Sequence, residues 1–200
     1  MADNLRSMIF LKDHCLEEQL EAVLISLDAK KAFDSVDHEY IVKSLEKYGF
    51  GPIFIGYFRT LYTNITARIL INGYLSDPLS ILRGVKQGDA LSCALFIICI
   101  DPLLRNLNAD MNIESIPLLT EITKEEIKHK AGAFADDVSV ICRGDRRSVQ
   151  NVFNQYERLT VRSGVELNAD KTEILSLHTH LNKIYNIQYD GKTFPISTLN

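Results

Sequence analysis

The chain has 200 residues, 46% of them hydrophobic and 24% charged, which is enough for one domain with a real core. Its formal net charge of −4 runs against the basic surface typical of nucleic-acid binders, so such a role requires either acids committed to metal ions or basic surfaces lying elsewhere. Four scattered cysteines, Cys15, Cys93, Cys99 and Cys142, form no C-x-x-C pair, which excludes a zinc ribbon or a disulfide framework and points to reduced thiols in an intracellular protein, cytoplasmic or nuclear.

Met1-Ala2-Asp3-Asn4 has no signal-peptide pattern, and residues 1–20 are expected to form a short helix. Residues 21–28 read as a buried strand that ends on Asp28. Residues 38–48 read as a helix with Ile41, Val42, Leu45 and Tyr48 on one face, Asp37 as its cap and Gly49 as its stop. A strand is expected at 65–71, followed by the hairpin signal Asn72-Gly73. The apolar run from Ala90 to Ile100, too short to span a bilayer, belongs to a helix from about Asp89 to Asn108, and no membrane partner is expected. Residues 110–130 are polar and irregular, the pattern of an insertion or mobile loop. A hairpin over 131–141 is expected to carry Asp136 and Asp137 in its turn. Residues 147–163 form an amphipathic helix, with Val149, Val152, Phe153, Tyr156, Leu159 and Thr160 on one stripe and Gly164 beyond it. Strands follow at 172–177 and 184–189. This order predicts an α+β fold of ferredoxin-like type, a mostly antiparallel sheet with helices on one face.

The chemistry centres on Phe134-Ala135-Asp136-Asp137. Two neighbouring acids in an apolar stretch repel each other, and a divalent cation is the usual remedy. Asp28 ends a second apolar run, so two strands can gather three carboxylates around hard metal ions, the working part of a two-metal phosphoryl-transfer site. Taken alone, the Asp136–Asp137 pair reads equally well as solvated acids in a turn.

Four segments carry a resemblance. Ser26-Leu27-Asp28-Ala29-Lys30-Lys31-Ala32-Phe33-Asp34-Ser35-Val36, Arg83-Gly84-Val85-Lys86-Gln87-Gly88-Asp89-Ala90-Leu91-Ser92, Phe134-Ala135-Asp136-Asp137 and Gly164-Val165-Glu166-Leu167-Asn168-Ala169-Asp170-Lys171-Thr172 resemble, in order and spacing, the palm motifs of reverse transcriptases of non-LTR (LINE-type) retrotransposons. The resemblance covers roughly residues 20–190. It implies an RNA-directed DNA polymerase that copies an RNA template from a DNA primer with deoxynucleoside triphosphates. By the same resemblance Asp28, Asp136 and Asp137 hold two magnesium ions, about 3.5–4 Å apart in such sites. Phe33 is then the steric gate against a 2′-hydroxyl. Gln87 and Gly88 lie near the incoming nucleotide and template, Arg83 and Lys86 face phosphates, and Lys171 protonates the leaving pyrophosphate. Asp34 belongs to the same motif with no assigned chemistry; a cap for the next segment is one role open to it, and it is not expected to be a metal ligand.

The sequence departs from the family pattern at Ala90 and Cys93, where relatives usually carry prolines, and at Phe134, where many carry tyrosine. The implied organisation is a truncated fingers or leader remnant over 1–20, a polymerase palm over 21–190, and the truncated approach to a primer-grip hairpin and thumb over 191–200. Two other readings are a decayed retroelement product without turnover that keeps weak nucleic-acid binding, and a nucleotide cyclase with a similar two-metal core. The oligomeric state is not indicated.

Overall fold

The computed structural model describes residues 2–86, 88–116, 118–119, 126–127, 130–134, 137–177 and 184–199. In chain order the elements are α1 (Ala2–Glu17), β1 (Ala22–Leu27), α2 (Ala32–Ser35), α3 (His38–Lys47), α4 (Pro52–Tyr62), β2 (Thr66–Ala67), β3 (Leu70–Ile71), β4 (Tyr74–Leu75) and β5 (Leu79–Ser80). There follow α5 (Ala90–Ala109), β6 (Leu118–Leu119), β7 (Glu126–Ile127), β8 (Ala131–Phe134), β9 (Asp137–Arg143), α6 (Arg146–Ser163), β10 (Glu173–Ser176), β11 (Ile184–Tyr189) and β12 (Lys192–Leu199).

β1 occupies the middle of a six-stranded sheet of order β11-β12-β10-β1-β9-β8. It runs antiparallel to β9 and β10, while β10 and β12 form the parallel pair among antiparallel neighbours. Alternation along β1 decides the layers. Val23, Ile25 and Leu27 enter the main core with Val138, Val140 and Ile174 and the buried faces of α3, α5 and α6. Ala22 and Leu24 face the other side, where Leu11 and Cys15 of α1 pack with Ile141 and Leu177 in a smaller cluster. The result is an α+β fold in which α3, α5 and α6 share one face of the sheet and α1 covers part of the other.

The helices start and stop where their side chains allow. Asp37 accepts the Glu39 and Tyr40 amides at 2.9 and 3.2 Å at the head of α3, and Gly49 ends it at φ +81°. Asp89 accepts the Leu91 amide at 3.0 Å, so α5 keeps its cap despite Ala90 and Cys93. By length and composition α5 would cross a bilayer, since it is 20 residues long with a mean hydropathy of 1.7. In this fold it is a core helix, with Leu95, Phe96, Cys99, Ile100, Leu103 and Leu107 buried. The helix expected from about Asp89 to Asn108 thus forms within a residue of those bounds, and the 11-residue run judged against a bilayer is only its most apolar part.

Asp145 caps α6 by accepting the Ser148 amide at 2.9 Å. Burial raises its pKa, but the hydrogen bonds from Ser148 and neighbouring amides outweigh this, and the carboxyl lies below its ordinary value. A depressed folded pKa contributes stability that is present above the unfolded value of about 3.9 and lost as pH falls through the folded one. Asp145→Ala is therefore expected to cost about 1 kcal/mol at pH 7 in urea unfolding, with the difference from wild type fading below about pH 4.

The fold departs from the sequence reading in four places. The strand expected at 65–71 divides into β2, which pairs β5, and β3, which pairs β4 around Asn72-Gly73 at φ +50° and +84°. These values suit a type I′ hairpin turn. α4 forms over 52–62, where no element was expected. Pro52 at its first turn follows Gly51, and Phe58 and Tyr62 are buried, but Ile53, Phe54, Ile55, Tyr57 and Leu61 leave no clean apolar stripe to read. The start of the 110–130 segment is anchored rather than loose, with Ile113 and Ile116 buried and Lys130 donating to the Asp110 carbonyl at 2.6 Å. Finally, α1 is 16 residues long, longer than the short helix expected.

Candidate active site

The register of β1 against β9 assembles the acids. Leu27 pairs with Val138, and the same register continued by one residue sets Asp28 across from Asp137 at one end of the sheet. Residues directly opposite on antiparallel strands lie about 5 Å apart at Cα. Asp28 is half-buried and Asp137, the first residue of β9, is exposed. Phe134 of β8 pairs with Asp137 of β9. Ala135 and Asp136 lie outside the described residues, as do Gln87, His178 and His180. Among the described residues no three His, Cys, Asp or Glu side chains gather as a metal-holding group. Asp28 and Asp137, brought to the same end of the sheet by this register, are hard oxygen donors, a donor type that suits magnesium.

Two other segments wrap this sheet end. Residues 164–171 lie along the chain leaving β1: the Lys30 amide donates to the Glu166 carbonyl, and the Asn168 amide donates to the Asp28 carbonyl, both at 2.8 Å. Ala29 and Leu167 form an antiparallel bridge between these bonds. Lys171 is exposed and closes the turn, its amide donating to the Asn168 carbonyl at 3.3 Å. Arg83-Gly84-Val85 packs on the other side of the same chain. The Gly84 amide donates to Val36 at 2.8 Å, the Val85 amide donates to Phe33 at 2.7 Å, and Asp37 bridges Arg83. The Gly84 carbonyl is met by His38 Nε2 at 2.8 Å.

The remaining expected site residues fall around this junction. Phe33, half-buried on α2, sets its ring 4.6 Å from that of Phe96 on α5, which fixes one face of the ring against the core. Arg83, Lys86 and Gly88 are exposed. Lys86 places Nζ 5.5 Å above the Tyr62 ring. Gly88 has φ +85° with open space around it. Asp34 is exposed and lies within α2, whose cap position is held by Lys31. Sequence reasoning missed Gly84, His38, Tyr62, Asn168 and Tyr189. Their roles depend on contacts between segments far apart in sequence, and only Gly84 left a local signal, a glycine beside Arg83.

Known proteins with similar sequences and folds point in one direction. Residues 2–194 match the reverse transcriptase (RNA-dependent DNA polymerase) family. The chain is 38% identical over 125 residues to an uncharacterized 149 kDa protein of transposon TX1 from Xenopus laevis, covering 62% of this chain and 9% of that protein. It is 31% identical over 170 residues to the retrovirus-related Pol polyprotein of the type-2 retrotransposable element R2DM of Drosophila melanogaster, covering 85% of this chain and 15% of that protein. Among solved structures, the telomerase of Candida tropicalis in complex with a fragment of telomeric RNA superposes with a TM-score of 0.62 at 13% identity, over 96% of this chain and 33% of that one. The Candida albicans telomerase does so with a TM-score of 0.59 at 14% identity, over 98% and 33%. At such identities these two comparisons speak for the fold alone. The chain thus spans a small part of the curated relatives it matches.

Proposed function

Because the chain belongs to the reverse transcriptase (RNA-dependent DNA polymerase) family, in its non-LTR retrotransposon branch, we propose that it is the palm of an RNA-directed DNA polymerase and carries that enzyme's acid site. The observation that carries this reading is the β1–β9 register, which sets Asp28 across from Asp137 with residues 164–171 and 83–85 packed around the same strand end. Residues 21–190 are the palm. An intracellular setting fits the four free thiols, three of them buried.

Asp28, Asp136 and Asp137 would hold two magnesium ions, which when bound supply Lewis-acid stabilisation of the developing phosphate charge. The chain's own residues do the rest. Phe33 lies beneath the sugar and excludes a 2′-hydroxyl. Exposed Arg83 and Lys86 attract the triphosphate. The primer 3′-hydroxyl gives up its proton to water and its oxygen forms a bond to the α-phosphorus, the bond to pyrophosphate breaks, and the Lys171 ammonium gives a proton to the departing pyrophosphate oxygen. Gln87 and Gly88 lie along the nucleotide and template. The substrates are an RNA template with a DNA primer and deoxynucleoside triphosphates.

The test is magnesium-dependent extension of a primed RNA template at low salt, where phosphate contacts are strongest. Extension by the wild-type chain supports the reading. Its absence from folded protein moves the chain to a remnant that binds nucleic acid without turnover.

Phe33→Ala is expected to raise ribonucleotide incorporation relative to deoxyribonucleotide by at least about tenfold, equivalent to ~1.4 kcal/mol of lost repulsion. Competitive single-nucleotide incorporation measures the ratio, and an unchanged ratio in an active variant removes the gate assignment. Loss of the Phe96 contact should also cost about 1–3 kcal/mol in urea unfolding, below the range for a fully buried ring because Phe33 is half-exposed.

A further inference from the structure

The strand β11 ends on Tyr189, just before the tight turn Asp190-Gly191 that leads into β12. Its ring is buried at 6% exposure and lies edge-on to Tyr156 at 6.3 Å. Its hydroxyl meets two groups. The Leu167 amide donates to it at 2.9 Å, and Thr160 Oγ1 lies 2.8 Å away. Proton counting fixes the direction of the second bond. Thr160 has one hydroxyl hydrogen, and its shortest acceptor is the Val165 carbonyl at 2.7 Å, with the Tyr156 carbonyl farther at 3.2 Å. The Tyr189 hydroxyl therefore donates to Thr160 while accepting from Leu167. Burial, ahead of every other influence, raises the Tyr189 pKa, so the phenol keeps the proton this chain needs.

The bonds run in one direction, from the Leu167 amide to Tyr189, to Thr160 and back to the Val165 carbonyl, two residues before the start. They enclose the loop that lies against the chain leaving β1. Leu167 sits between the two cross-chain bonds, Lys30 amide to Glu166 and Asn168 amide to Asp28. Its own amide points away from that chain, and Tyr189 satisfies it. Leu167 is 6% exposed and Val165 fully buried, so water does not replace the hydroxyl without opening the loop.

We infer that Tyr189 is a positioning residue: it holds residues 165–168 against the Asp28 segment and so couples the C-terminal β11–β12 hairpin to the acid site. This inference rests on the polymerase reading for its consequence in catalysis, but its structural half stands without it. Displacement of the hairpin would be transmitted to the Asp28 carbonyl through one side chain and one loop.

The experiment has two arms. Amide hydrogen exchange of the 200-residue chain is compared for wild type, Tyr189→Phe, Thr160→Val and Thr160→Ser. Tyr189→Phe should speed exchange at Leu167 and Asn168 by at least about tenfold, the scale of one lost buried hydrogen bond, with amides in the middle of α6 and β1 unchanged. Thr160→Val should follow it, and Thr160→Ser, which keeps the hydroxyl, should retain the protection. In primer extension, Tyr189→Phe should lower kcat/KM for the nucleotide by about tenfold while leaving the affinity for primed template unchanged. Unchanged exchange at Leu167 and Asn168, or an equal rise across the whole core, overturns the inference. Altered exchange with unaltered extension kinetics overturns the coupling to the acid site. Failure of the wild type to extend primers instead counts against the polymerase reading, and the exchange arm still decides whether Tyr189 positions the loop.

Discussion

Asp137→Asn is expected to abolish primer extension while leaving the metal-free chain slightly more stable. The two effects share one cause. The β1–β9 register, carried one residue past Leu27–Val138, sets Asp28 across from Asp137, and like charges directly opposite destabilise a sheet by a few tenths to about 1 kcal/mol. Removing one charge relieves this, and because Asp137 is exposed the gain is discounted to about 0.5 kcal/mol or less, largest at low salt. In thermal unfolding with a chelator that is a rise of about 1–2 °C for a chain of this size. Addition of magnesium should reverse the order, raising the melting temperature of the wild type more than that of the variant. Extension should fall by at least about a thousandfold, since a ligand to a catalytic metal ion supplies several kcal/mol of transition-state stabilisation. Asp28→Asn should behave alike. Extension that persists in both variants would falsify the acid-site assignment. A chelated wild type more stable than either variant would remove the claim that the carboxylates oppose each other.

Gly84→Ala is expected to be the most damaging small substitution in the junction. Gly84 has φ +87°, and a Cβ there would lie 2.8 Å from the Asp34 Cα and carbonyl oxygen. The obstacle is backbone, which a rotamer change cannot relieve. Left-handed strain of about 1–2 kcal/mol and overpacking of about 1–3 kcal/mol together suggest a loss of about 2–5 kcal/mol. Gly88→Ala is the control. It has nearly the same φ, +85°, but nothing lies within 4 Å of its Cβ position, so it should lose only the conformational part, about 1 kcal/mol. Urea unfolding of the two variants separates steric clash from backbone preference. Equal losses would show that the close approach of Gly84 to Asp34 is not tight in solution. The same clash would push Arg83 and Val85 away from Phe33, so Gly84→Ala should also impair extension beyond its effect on the fraction folded.

The elements written plainest in the sequence are those with one strong local cause. Asp37 and Gly49 bracket α3, and Asp145 and Gly164 bracket α6, because a cap needs only a side chain within three residues and a glycine that accepts positive φ. The strand over 184–189 alternates cleanly and forms as read. α4 was invisible because apolar residues ring it on all sides, and the 65–71 strand broke because its ribbon is exposed on both faces, with no core to reward alternation. The smaller cluster under α1 was likewise out of reach, since which face of the sheet a helix covers is a long-range choice.

The family, the palm and the chemical types at the site are legible in the chain alone: carboxylates at the ends of apolar runs, a phenylalanine after the first, cations and glycines in the second segment. Residue type and spacing suffice there, because charge, ring size and missing Cβ atoms are local properties. Which of these groups meet depends on long-range packing. Asp28 and Asp137 come to the same strand end because two strands more than 100 residues apart share one register, and a slip of one residue would turn each side chain to the other face of the sheet. Gly84 against Asp34, and Tyr189 beneath Leu167, are contacts between segments that no local pattern links. They arise from packing, where a single buried amide or a missing methyl group sets how closely two backbones approach.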